Sequence, residues 1–139
     1  MKVYIATQLA NAPAQQKLAN FLHSHGVELT FDWTKQDNQL TTDRTFTEEE
    51  LSQHSVNDLE GVRAADVLIV LLPGAFGTYV ELGGAIMSGK RVIVVGEQLW
   101  NNQYDCLFVH HPNVIRLSYG DSLYHSILFY LDLLVQEQK

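Results

Sequence analysis

Short apolar runs recur along the chain, with longer polar or amphipathic segments between them. Val3 to Ala6 reads as a first strand, and Pro13 to His25 as a helix with Leu18, Phe21 and Leu22 at helical spacing, closed by Gly26. Val27 to Phe31 gives a second strand. Thr47 and Glu50 form a capping-box pair that starts a helix running to about Ala64, and Asp66 to Leu72 follows as a third strand. Its unbroken run of β-formers predicts burial on both faces. Pro73, Gly74 and Gly77 then force a turn into a helix that opens near Thr78 and ends near Gly89. Strands at Arg91 to Val95 and Val114 to Leu117 come next, before a last helix capped by Asp121 and carrying Leu123, Ile127, Leu128 and Leu131.

Such β/α alternation with short connections predicts an α/β fold: a flavodoxin-like (Rossmann-like) three-layer arrangement with a five-stranded parallel sheet, residues 1–139 forming one domain. Two connections are longer and polar. Asp32 to Thr45 contains Trp33, and Gly96 to Asn113 contains Trp100, Tyr104, Phe108, His110 and His111, the two histidines reading as loop or interface residues.

Composition narrows the partners. A chain that is 46% hydrophobic and 18% charged has enough apolar material for a core, as expected of a globular domain. The net charge of −7, with no basic run, disfavours nucleic acid and points to a small ligand. The single cysteine, Cys106, reads as a semi-buried structural thiol and rules out an internal disulfide framework. No signal-peptide pattern and no membrane-length apolar run is present, so a cytoplasmic location with no membrane partner is expected.

Glu81 is the leading chemical candidate. The predicted helix from Thr78 places it in the first turn, just outside the carboxyl end of a parallel strand, where open α/β sheets bind ligands and a helix N-terminus favours an ionised carboxylate. Thr78 to Glu81 is also a capping-box pattern, so a purely structural Glu81 is the competing reading. The segment after the first strand, Thr7-Gln8-Leu9-Ala10-Asn11, has neither GxGxxG nor GxxxxGK. No metal-ligand spacing occurs, so no metal is expected. Asp58 supplies a second carboxylate, late in the preceding helix. Two acids with different tasks suit cleavage of a bond between a sugar and a nitrogen base, one stabilising an oxocarbenium-like centre and one protonating the departing base. Solvated helix, core aromatic and core-edge roles remain open for Asp58, Tyr4 and Trp33 respectively, with stacking on a substrate the alternative for Trp33. Gly83 and Gly84 either admit a ligand or let the helix approach the sheet.

Val3-Tyr4, Asn57-Asp58-Leu59-Glu60-Gly61-Val62, and Gly77-Thr78-Tyr79-Val80-Glu81-Leu82-Gly83-Gly84-Ala85 with Gly89-Lys90 together resemble the nucleoside 2-deoxyribosyltransferase family, including its deoxynucleotide N-hydrolase relatives. The resemblance implies that Glu81 attacks the anomeric carbon of a deoxyribosyl group, Asp58 contacts or protonates the departing base, and Tyr4 holds Glu81 through a hydroxyl hydrogen bond. Asn113, acting from a neighbouring subunit, is its implied contact to the sugar; Gly77, Thr78, Gly84 and Trp33 are further candidate substrate-binding positions. It also implies a nucleoside or nucleotide substrate, no cofactor, and a homo-oligomer, dimer or larger. Where many members carry an acidic residue before the Gly-Thr pair, this chain has Ala75-Phe76. Cleavage of another N-glycoside, such as the nicotinamide bond of NAD, and a non-catalytic domain that binds nucleotide-like ligands are the alternatives.

Overall fold

The computed structural model describes residues 1–35, 41, 44–97 and 106–138. Trp100 and Tyr104 lie outside the described residues. The order of elements is β1 (Lys2–Ala6), α1 (Ala12–Ser24), β2 (Glu28–Leu29), α2 (Glu48–Ala64), β3 (Val67–Leu71), α3 (Phe76–Met87), β4 (Arg91–Gly96), β5 (Val114–Ser118) and α4 (Leu123–Glu137), with single 3-10 turns at Leu9–Asn11, Trp33–Lys35 and Leu107–His110. All strand pairs are parallel and the sheet order is β2-β1-β3-β4-β5. This is the flavodoxin-like order expected, with its topological switch point between β1 and β3.

The period of two along each strand divides the core into layers. Val3 and Ile5, Val67, Ile69 and Leu71, and Ile93 and Val95 face α1 and α4, meeting Leu18, Leu22, Ile127, Leu131 and Leu134. Their alternates Tyr4, Ala6, Leu68, Val70, Val92 and Val94 face the other way, onto Val62 of α2 and Leu82 and Ala85 of α3. Tyr4 therefore belongs to the layer that contains α2 and α3. Cys106 packs half-buried against that second core, as a structural thiol would.

The expected elements hold with local corrections. The capping box of α2 is complete: Glu50 N–H donates to Thr47 Oγ1 at 3.1 Å and Thr47 N–H to Glu50 Oε1 at 3.1 Å. β2 is shorter than the run Val27 to Phe31: only Glu28 and Leu29 pair in register with β1, and the Thr30 hydroxyl donates to the Gly61 carbonyl of α2 at 2.6 Å. Asp121 does not cap α4. Ser122 occupies that position without a side-chain bond, and the turn closes through Leu123 N–H to the Gly120 carbonyl at 3.2 Å.

The correction that matters most concerns α3, which opens at Phe76 rather than near Thr78. The Thr78 hydroxyl reaches back to accept the Ala75 N–H at 3.1 Å, so Ala75 becomes the cap residue. Alanine offers no side-chain acceptor in return, and only this half of a capping box forms. Gly74 makes room for the turn: a Cβ there would meet Thr78 Cβ at 2.9 Å. Glu81 thus stands in the second turn, not the first, beyond the reach of most of the helix-terminus field.

Candidate active site

Three elements bring three ionisable groups to one place. β1 turns Tyr4 toward α2 and α3, where it is fully buried. α2 presents Asp58, and α3 presents Glu81 from its second turn. All three line a cavity of about 230 Å³ together with Thr7, Gln8, Leu9, Trp33, Ala75, Gly77 and Thr78. The cavity lies beyond the carboxyl ends of β1 and β3, at the switch point. A second lobe of about 260 Å³ opens between α2 and α3, sharing Asp58, Gly77 and Glu81 with the first and adding Leu51, His54, Ser55, Leu59 and Val80. The two carboxyl groups therefore stand where the lobes meet.

Tyr4 Oη, Asp58 Oδ1 and Glu81 Oε2 are each shielded from solvent and have no hydrogen-bond partner. Tyr4 is near enough to Glu81 to favour its ionised form. Tyr4 and Glu81 are close enough for a side-chain hydrogen bond to shift both groups, although Tyr4 Oη and Glu81 Oε2 fall short of strict hydrogen-bond geometry. Orphaned buried polar atoms are uncommon in folded proteins, and three facing one cavity form an arrangement suited to a polar ligand.

Burial sets the electrostatics. It pushes Glu81 from an ordinary 4.5 up to about 8, helped by the neighbouring Asp58 charge and opposed by Tyr4. Asp58 is raised by burial to about 6, while nearby His54 pulls it down. The Tyr4 phenol is held protonated by burial and then by the Glu81 and Asp58 charges. The expectation that a helix N-terminus would favour an ionised Glu81 is thus reversed: displacement to the second turn weakens that field, and desolvation dominates. Two acids facing one cavity with raised pKa values keep a proton between them near neutrality, so the pair offers a base and an acid together.

Other predicted residues divide clearly. Gly77 and Thr78 line the cavity, and Thr78 is 2% exposed while it holds the α3 cap. Trp33 forms a wall, its indole N–H fixed to the Ile5 carbonyl at 2.9 Å. It therefore covers the core edge and faces the cavity at once. Gly84 lies outside the lining of both lobes, and a Cβ there would meet Leu59 Cδ2 at 3.9 Å, so its place is in the packing of α3 on α2. Asn113 is also outside, preceding β5 at the opposite edge of the sheet, where its carbonyl accepts Val92 N–H at 3.0 Å. Within its own chain it does not reach Glu81.

Thr7, Gln8 and His54 are lining residues that the motifs did not indicate. A signal existed for each. Thr7 and Gln8 directly follow β1 at the switch point, and His54 precedes Asp58 by one helical turn, which places both on one face. Among the described residues no group of three His, Cys, Asp or Glu side chains is placed to hold a metal ion. No helix among them is long and apolar enough to cross a membrane.

Fold and site together define an open parallel α/β domain with a carboxyl pair and a phenol at its switch point. Among solved structures, the chain resembles a CMP N-glycosidase of Clostridium botulinum at 22% identity and a TM-score of 0.61, covering 95% of this chain and 99% of that one. It also resembles the 2-deoxyribosyltransferase of the psychrotolerant bacterium Bacillus psychrosaccharolyticus, at 19% identity and a TM-score of 0.61, covering 91% of this chain and 90% of that one. At these identities the likeness is one of fold. No family model matches the chain, and no curated protein matches it in sequence.

Proposed function

We propose that this protein cleaves the N-glycosidic bond of a deoxynucleoside and passes the 2-deoxyribosyl group to another base or to water. The observation that carries this reading is the convergence of unpartnered Tyr4 Oη, Asp58 Oδ1 and Glu81 Oε2 on one cavity at the switch point. The two similar folds, one a CMP N-glycosidase and one a 2-deoxyribosyltransferase, support it.

In this mechanism the ionised Glu81 carboxylate bonds to the anomeric carbon as the bond from that carbon to the base nitrogen breaks, and the carboxylic proton of Asp58 goes to the departing base. Tyr4 closes its approach to Glu81 and supplies a hydrogen bond that favours the ionised form. A nitrogen of a second base, or a water oxygen, then displaces Glu81 from the sugar carbon and returns a proton to Asp58. The resting preference of the proton for Glu81 must invert for this chemistry. Positive charge developing on the sugar ring acts in that direction, because it stabilises the adjacent carboxylate.

Among the described residues neither lobe is lined by a lysine or arginine, which favours an uncharged nucleoside over a nucleotide. Gly77, Thr78 and Trp33 bind substrate in this reading. Asn113 contributes only from a second copy in a homo-oligomer. Incubation with a deoxynucleoside and a free acceptor base, followed by chromatographic resolution of the products, tests the proposal. Transfer or release by the wild-type chain, abolished in Glu81→Ala, is the expected result; undiminished turnover in the variant removes the nucleophile.

A further inference from the structure

The lobe between α2 and α3 contains a polar group for which the proposed chemistry has no use. His54 is 6% exposed, and its Nδ1 is shielded from solvent with no hydrogen-bond partner. Phe46 braces the ring edge-on, with centroids 6.2 Å apart and planes at 88°. Asp58 lies one helical turn further along α2, and His54, Asp58 and Glu81 line the same lobe. Its remaining walls are largely apolar, formed by Leu51, Leu59 and Val80. A buried nitrogen left unpaired is destabilising, and an apolar side chain of similar size would avoid that cost. Its retention beside the carboxyl pair calls for a partner that arrives with the ligand.

The chemistry of the two lobes differs. Tyr4 and Gln8 bring a hydroxyl and an amide to the first, where sugar hydroxyls would find partners. Aliphatic walls with one imidazole in the second suit the faces and one edge of a planar heterocycle. Resting on the function proposed above, we propose that His54 is a specificity-determining residue, which hydrogen-bonds the edge of the departing base while Leu51, Leu59 and Val80 cover its faces. When Nδ1 carries the proton it donates to a ring nitrogen or carbonyl of the base; in the other tautomer it accepts from an exocyclic amino group. The tautomer therefore selects among bases that differ at that edge. A site that presents a buried hydrogen-bonding group discriminates against any base that leaves it unpaired.

The test compares the full-length wild type with His54→Leu and His54→Gln, measuring kcat/KM for deoxyadenosine, deoxyguanosine, deoxycytidine, thymidine and deoxyuridine, and the thermal midpoint of each protein. Leucine removes the orphaned nitrogen at similar volume, so its midpoint should equal or exceed that of the wild type. Its spread in kcat/KM between best and worst base should contract by about tenfold or more. Glutamine, which retains a donor and an acceptor, should restore part of the preference. Base preferences unchanged within about twofold in both variants would overturn the role of His54 while leaving the catalytic reading intact. A wild type that releases base from none of the five deoxynucleosides would instead overturn the catalytic reading, and this proposal with it.

Discussion

Glu81 and Asp58 share a site that does not keep both ionised near neutrality. With Glu81 raised to about 8 and Asp58 to about 6, one proton resides on the pair across the neutral range. Chemistry that needs one acid and one base then gives kcat/KM rising with pH through about 6 and falling above about 8, the two limbs belonging to the pair; a pH-rate profile measures this. Asp58→Asn should lower kcat by about 10²- to 10⁴-fold, with the larger losses for bases that leave poorly without protonation. Burial also gives Glu81 a measurable effect on stability. Its folded pKa lies above its unfolded value, so the native state holds a proton that the unfolded chain releases. Stability contributed by this group is complete at pH below about 4.5 and is lost as pH rises toward about 8. Glu81→Gln should therefore abolish turnover yet raise the thermal midpoint at pH 8 more than at pH 5, by roughly 3 °C or more, as calorimetry at the two pH values would show.

At the scale of elements, α2 and α3 act as two arms that set their carboxyl groups against β1. Gly61 is the point of closest approach. A Cβ on it would meet the Tyr4 ring at 2.8 Å and Phe31 Cβ at 2.9 Å. Gly61→Ala must displace the Tyr4 ring or lift α2, and should cost about 1–3 kcal/mol in denaturant unfolding while also lowering kcat. The α3 cap can be probed separately. Thr78→Val keeps the shape but frees the Ala75 N–H, so about 1 kcal/mol of stability should be lost and the turn beside the cavity loosened, detectable as faster amide exchange at Ala75. Much at this scale was legible in the sequence. The box at Thr47 and Glu50 appeared as expected because both partners are local. The start of α3 was misplaced because Thr78 to Glu81 read as a forward capping box, whereas the Thr78 hydroxyl caps backward by accepting the Ala75 N–H, so that the helix opens at Phe76, two residues earlier than expected. The long polar stretch after β2 was legible only as a connection. In the structure Asp32 Oδ1 accepts Thr34 N–H at 3.0 Å and the Gln15 amide at 3.3 Å, a turn built by a buried partner from α1.

At the scale of the whole molecule, apolar side chains outside both lobes remain exposed on the same two arms: Val56 on α2, and Phe76 and Met87 on α3. The proposed homo-oligomer would cover this face. Sedimentation equilibrium should then give a dimer or larger, and Met87→Glu should shift it toward monomer; a wild type that is monomeric throughout would leave Asn113 with no route to the site. The order of strands and helices, the two-sided burial of β3 and the carboxylate at the switch point were determined by the sequence by itself. Each follows from a period of two or 3.6 and from turn residues that act over a few positions. Which groups meet was decided only by the tertiary structure. Tyr4, His54, Asp58 and Glu81 come from three elements far apart in the chain, and their convergence depends on how α2 and α3 lie on the sheet. Their protonation depends on it as well, because desolvation is a property of the packed surroundings and not of the residues that carry the charge.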